Sequence, residues 1–298
     1  MAASDIVLED LRARPFRLVL PDIQRVPFIF ASPHSGSLYP QSLVAMSRLS
    51  PRTLRRSEDA FVDELFDAAN AFGAPMIAAR FPRAYLDVNR SPAEIDIEMF
   101  DGALAMATDP ASPRVTAGLG VIPRVVRDGA EIYRHKLPSR EAEERLASFY
   151  RPYHAALATL AKETLARFGT AVVIDCHSMP SAAAVPDIVL GDRYGMSAAP
   201  LLVRHAERAF EAQGFACVRN VPYAGGYTTL LHGRPARGLH ALQIEINRSL
   251  YLNEERIERT TRFGQIQERI GTAAAALASI DIGFLRPGGR RETPWAAE

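Results

Sequence analysis

The sequence predicts an α/β fold: a single domain over 1–285, with a mixed, mostly parallel sheet flanked by helices, and a C-terminal tail over 286–298. Three observations carry the prediction. Short apolar runs alternate with segments of helical period along the chain, the order that builds a sheet covered by helices on both faces. The run at 171–174 is continuously apolar or small, as a strand buried on both sides is, and opens into polar residues. Three such runs also end in polar residues: 26–31 leads to His34, 171–174 to Asp175-Cys176-His177-Ser178, and 239–246 carries Glu245 before Asn247-Arg248. Open α/β sheets place their chemistry where strands end, so these residues are expected to converge.

In chain order, the apolar runs at 16–20 and 26–31 predict two strands, and Pro33 with Gly36 suits an irregular loop around His34. Ser50-Pro51 has a helix-start signature. A stronger helical period begins near Ser57, stops at Gly73, and places Glu58 in its first turn. Runs at 75–79, 84–88 and 121–122 read as strands, the last inside a Pro-, Gly- and Asp-rich excursion over 91–130 that is expected to cover a site. The clearest helix runs from 139 to 168, with Pro152 marking a kink or the start of its second half. Beyond the strand at 171, a short strand at 188–191, an amphipathic helix over 198–213 closed by Gly214, a glycine loop at 223–229, the strand at 239–246 and a helix capped by Asn253 through Leu277 complete the reading.

Composition narrows the function. Thirty-five basic residues against 34 acidic ones leave a net charge of +1, and the charges interleave in segments such as 140–145, so no basic stripe points to nucleic acid. Two cysteines without a CxxC pair point to a reducing compartment. No run approaches the ~18 apolar residues of a membrane helix, and residues 1–22 lack a secretory apolar core. A cytoplasmic protein with a small-molecule substrate, no nucleic acid and no membrane is expected.

Hydrolytic zinc sites take three ligands from His and carboxylates and need a nearby carboxylate as base. His34, Glu58 and His177 can supply the ligands and Glu245 the base, with Asp59 as a rival to Glu58. The bland reading of each is available: a histidine at a strand end can be a hydrogen-bonding residue, and an acid in a first turn suits the helix dipole. Glu245 stands out, because a carboxylate inside Leu242-Gln243-Ile244-Glu245-Ile246 is costly to bury unpaired. Asn89-Arg90 and Asn247-Arg248 each follow an apolar run, and a guanidinium can grip a substrate carboxylate or make a structural ion pair. Gly225-Gly226 before Thr228 offers backbone N–H groups to an anion. Ser35 and Ser178 lack a nucleophile-elbow context. Cys176, next to His177 on a strand, points to the opposite face and reads as a buried hydrophobe.

Ser32-Pro33-His34-Ser35-Gly36, Ser57-Glu58-Asp59, Asp87-Val88-Asn89-Arg90, Asp175-Cys176-His177-Ser178, Gly225-Gly226-Tyr227-Thr228 and the segment 242–251 together resemble the N-formylglutamate amidohydrolase family, in its motif order and over roughly 25–275. The resemblance implies a fold similar to zinc carboxypeptidases and aspartoacylases, and one zinc per chain bound by His34, Glu58 and His177. It implies Glu245 as the catalytic base, and Asn89 and Arg90, with Arg248, Gly226 and Thr228 less firmly, as substrate-binding residues. The implied reaction is hydrolysis of an N-formyl or N-acyl amino acid, above all N-formyl-L-glutamate in histidine catabolism. The alternatives are a carboxypeptidase- or aspartoacylase-like hydrolase of another acyl amino acid or peptide, and a metal-free protein that binds a dicarboxylate.

Overall fold

The computed structural model describes residues 5–126, 129–182 and 186–288; the end of the expected tail, 289–298, lies outside the described residues. Seven strands form the main sheet: β1 (Phe16–Val19), β2 (Phe28–Ser32), β3 (Met76–Ala79), β4 (Ala171–Met179), β5 (Ile188–Gly191), β6 (Cys217–Arg219) and β7 (Leu239–Asn247). Their spatial order is β1-β3-β2-β4-β7-β5-β6. β3, β2, β4 and β7 run parallel, β1 and β5 pair antiparallel to their inner neighbours, and β6 is parallel to β5. The sheet is therefore mixed and mostly parallel, as the alternating pattern predicts.

Strand alternation sorts the apolar residues into two layers. Phe28, Phe30, Val172, Ile174, Cys176, Leu242, Ile244 and Ile246 face one side, where α3 (Pro200–Glu211) and α5 (Phe263–Ala278) cover them. Ile29, Ala31, Val173 and Ala241 face the other, under α2 (Arg151–Phe168) and the excursion after β3. Asp175, His177, Gln243 and Glu245 share the parity of the second set and lie beyond it toward the strands' C-terminal ends. Cys176 is buried in the first layer, on the face opposite His177, as the alternation requires.

Several local expectations yield to tertiary contacts. The helix expected from Ser57 is broken: Glu58 is extended, Phe61 is left-handed, and only Val62–Leu65 and a 3-10 turn at Asp67–Ala69 coil. The cause is the bond from Asp59 N–H to His34 O at 3.0 Å, which ties this segment to the loop after β2. Glu58 thus does not occupy a first helical turn. Residues 84–88 and 121–122 are buried but form no strand. Their backbones are satisfied by turns and by cross-bonds such as Asp87 N–H to Val121 O at 2.8 Å.

In the long helix, a π turn at Leu146–Tyr150 precedes Pro152, whose missing N–H cannot join a regular ladder. Asn253 caps a turn by accepting from Arg256 N–H, in a small hairpin of Leu252–Asn253 with Glu258–Arg259, and the last helix starts only at Phe263. Among the described residues four α-helices escape the sequence reading: α1 (Ile6–Ala13), capped by Asp5, the short helices Gln41–Met46 and Pro113–Thr116, and α4 (Tyr227–His232), which grows out of the glycine loop. Among the described residues no helix is long and apolar enough to cross a membrane.

Candidate metal centre and active-site pocket

β2, β4 and β7 lie side by side and parallel, so their C-terminal ends open on one edge of the sheet. β2 delivers His34 two residues past its end, β4 carries Asp175 and His177, and β7 carries Gln243 and Glu245. The β4–β7 register sets His177 opposite Glu245 and Asp175 opposite Gln243. All are buried, and all but Asp175 line a cavity of about 410 Å3.

His34, Asp59 and His177 form a group whose nitrogen and carboxylate ligand atoms all lie within 4.8 Å of one another. Asp59 Oδ2 is 2.9 Å from His177 Nδ1 and 3.3 Å from His34 Nδ1. Tetrahedral zinc, with bonds of about 2.0–2.1 Å, sets its ligand atoms roughly 3.3 Å apart. The far nitrogen of each ring meets its own carboxylate: His34 Nε2 lies 2.7 Å from Asp87 Oδ1, and His177 Nε2 3.0 Å from Asp175 Oδ2. With the Nε2 protons donated to Asp87 and Asp175, each Nδ1 faces Asp59 and can exchange its own proton for a cation. Three ligand atoms facing one point need positive charge between them, which protons on the imidazoles supply in the cluster by itself and a cation supplies when it binds in their place.

The electrostatics agree. Burial opposes ionisation of Asp59, yet His177, His34 and Arg248 hold its carboxyl well below the usual range. Burial likewise disfavours charge on His177, but Asp175, Asp59 and Glu245 raise its pKa well above the ordinary value. Glu245 is pushed up to about 7, chiefly by burial, with Asp59 adding to the rise and His177, Arg83 and Arg248 opposing it. Gln243 Nε2 donates to Glu245 Oε1 at 2.8 Å and orients the carboxylate.

The third carboxylate of the cluster is Asp59. Glu58, the ligand the resemblance implies, turns the other way: Arg55 Nε and Nη2 grip its two oxygens at 2.9 and 3.0 Å, and it borders a separate hollow. The extended backbone at Glu58 sends the two neighbouring side chains to opposite sides, and the Asp59–His34 backbone bond selects Asp59 for the inside.

The expected substrate-binding residues divide. Arg248 is spent within the protein: Nη2 donates to Asp59 Oδ1 at 2.8 Å, Nε to Ser178 Oγ at 3.1 Å and Nη1 to Arg56 O at 3.4 Å. It steadies the carboxylate of the cluster and has its donors engaged there. Asn89 is likewise committed, since Nδ2 donates to Asp175 Oδ2 at 2.9 Å and Oδ1 accepts from Thr228 N–H at 2.7 Å. Thr228 therefore serves as a clamp on Asn89. Gly226 does border the cavity, packed so closely on Asn89 that a Cβ would lie 2.5 Å from its amide nitrogen. Arg90 keeps a place on the cavity wall, with Nε to Leu119 O and Nη1 to Asn89 O.

Asp87, Asp175, Gln243 and Arg83 are the members that the sequence reading does not assign. Asp175 carried the same signal as Glu245, a carboxylate inside an apolar strand. Asp87 carried it too, inside the apolar run 84–88, whereas the half-buried Arg83 just before that run had no periodic signal.

A family model, N-formylglutamate amidohydrolase, matches residues 26–252. N-formylglutamate deformylases of Pseudomonas aeruginosa and Pseudomonas putida are each 30% identical, over 78% and 77% of this chain and 84% and 83% of theirs. Among solved structures, N-formylglutamate amidohydrolase from Ralstonia eutropha JMP134 is 35% identical with a TM-score of 0.83, covering 92% of this chain and 99% of its own. A gene product of Agrobacterium tumefaciens shares the fold at 19% identity and a TM-score of 0.64, over 90% of this chain and 96% of its own.

Proposed function

We propose that this chain, which belongs to the N-formylglutamate amidohydrolase family, is a zinc-dependent enzyme that hydrolyses N-formyl-L-glutamate to formate and L-glutamate. The observation that carries the reading is the convergence of His34, Asp59 and His177 on one point, with the Glu245 strand position directly opposite His177.

Zinc held by His34, Asp59 and His177 would polarise the formyl carbonyl and acidify a water molecule. Asp87 and Asp175 hold the two imidazoles with Nδ1 toward the centre, and Arg248 holds Asp59 in line with them. Glu245, with its pKa near 7, takes a proton from the attacking water. It then delivers that proton to the amide nitrogen as the C–N bond breaks, which releases the amine of glutamate and leaves formate. Arg90, on the wall beside Asn89, supplies a guanidinium for the substrate's carboxylate.

The test is formate release from N-formyl-L-glutamate by the purified protein, with metal content measured in parallel. About one zinc per chain is expected, with turnover lost on chelation and restored by zinc. Glu245→Gln is expected to keep the zinc and lose roughly 100- to 10,000-fold in kcat. A protein that takes up no metal and releases no formate after incubation with zinc would be a dicarboxylate-binding protein instead.

A further inference from the structure

The cavity above the cluster is bordered by five arginines, Arg56, Arg83, Arg90, Arg114 and Arg248, against three carboxylates, Asp59, Asp87 and Glu245. Arg248 has each of its three nitrogens bonded within the protein, as described above. Three others are not. Arg83 donates Nε to Asp87 Oδ2 at 2.9 Å, and its two terminal nitrogens have no protein partner among the described residues. Arg90 uses Nε and Nη1 on backbone carbonyls and leaves Nη2. Arg114 is exposed, and among the described residues its guanidinium has neither a hydrogen bond nor an acidic partner.

These guanidiniums are held close at an electrostatic cost. Burial lowers the pKa of Arg90, Asp87 raises it, and the charges of Arg83 and Arg114 lower it further. Asp87 is shared among Arg83, Arg90 at 3.7 Å and His34, and cannot neutralise all of them. Glu94 of the excursion adds a smaller stabilising charge to Arg90, while its oxygens accept from Ser112 Oγ–H at 2.6 Å and Ser91 N–H at 2.9 Å. Those same bonds pin the short helix Pro113–Thr116, which carries Arg114, to the chain just after Arg90. Like charges fixed together with unmet donors facing a cavity are built to receive an anion.

Arg83 and Arg90 both sit against Asp87, the partner of His34, and are therefore the inner pair. Arg114 comes from the excursion and stands outside them. An N-formyl dicarboxylic amino acid presents its α-carboxylate next to the amide under attack and its side-chain carboxylate further out. We propose that Arg114 is the specificity-determining residue, which reads the side-chain carboxylate of the substrate while Arg90 and Arg83 meet the α-carboxylate. This assignment rests on the function proposed above and extends it to a residue of the covering segment.

The test compares kcat/KM for N-formyl-L-glutamate with that for N-formyl-L-glutamine, its neutral isostere, in wild type, Arg114→Gln and Arg114→Lys. Arg114→Gln is expected to lower the preference for the glutamate compound by roughly 10- to 100-fold, the worth of a charge-assisted hydrogen bond, chiefly through KM. Arg114→Lys is expected to recover part of it. If the wild type deformylates N-formyl-L-glutamate and Arg114→Gln keeps its preference, the Arg114 assignment is overturned while the reaction stands. If the wild type turns over neither compound, calorimetric binding of glutarate against butyrate decides. A glutarate preference that falls in Arg114→Gln upholds the subsite without the reaction, and an unchanged preference overturns it.

Discussion

Asp59 gathers contacts from three directions, two imidazoles and a guanidinium, while Glu58 beside it is held by Arg55 alone among the cations in direct contact. The two residues differ by one methylene and are equivalent candidates in the sequence. Their separation is testable. Asp59→Asn is expected to weaken zinc binding by more than the roughly 10- to 100-fold that changes in outer-shell partners cost, Asp175→Asn by about that amount, and Glu58→Gln is expected to leave it near wild type. Competitive titration with a chromophoric chelator measures all three. Glu245 sets a second expectation. A base works only when deprotonated, so kcat/KM rises with pH through its pKa, which burial lifts to about 7. A cation at the adjacent ligands favours the carboxylate and moves this acid limb downward. The limb is therefore expected at or below about pH 7 and is expected to vanish in Glu245→Gln; an acid limb that persists unchanged in Glu245→Gln would remove Glu245 from proton transfer.

At the level of elements, the site depends on close approach between the glycine loop and the segment after β3. Gly226 packs on Asn89, and Asn89 in turn holds Asp175, the partner of His177. A methyl at Gly226 has no room: it would lie 2.5 Å from Asn89 Nδ2 and 2.6 Å from Oδ1. Gly226→Ala is expected to cost about 1–3 kcal/mol, as overpacking does, and to lower kcat by displacing Asn89 from Asp175. Gly264→Ala is the control. It lies in α5 with nothing within 4 Å of its added methyl, and is expected to stabilise by up to about 1 kcal/mol through helix propensity. Denaturant unfolding of both variants checks the pair. The local sequence made the glycine loop visible as a turn, but α4 within it and the contact to Asn89 arise from residues far apart in the chain.

In the whole molecule, the sheet order does most of the assembly. β2, β4 and β7 are separated by long stretches of chain, yet they are neighbours in the sheet. Their parallel direction collects every strand end on one edge, and burial of each strand on both faces fixes its register. The layer of Phe28, Ile174 and Ile244 under α3 and α5 leaves the opposite face for His177 and Glu245. The excursion closes over that face and brings Arg114 to the rim. The sheet thus holds His34, His177 and Glu245, to which the proposed function gives the roles of ligands and base, and the covering segment supplies the residue to which substrate choice is assigned.

The sequence by itself determined the mixed α/β class, the central strands and longest helices, and three polar anchors, His34, His177 and Glu245, at strand ends. Apolar alternation, helical period and capping are properties of neighbouring residues, so they can be read from one chain. The tertiary structure decided which partner each polar group takes. Asp59 rather than Glu58 faces the cluster because a backbone bond to His34 turns it there. Arg248 and Asn89 spend donors on Asp59 and Asp175, whereas Arg83 gives only its Nε to Asp87 and Arg114 lines the cavity with no acidic partner among the described residues. Such choices rest on contacts between distant residues, up to 189 positions apart for Arg248 and Asp59. A guanidinium or carboxylate has the same appearance in the sequence whether it meets the protein or a ligand.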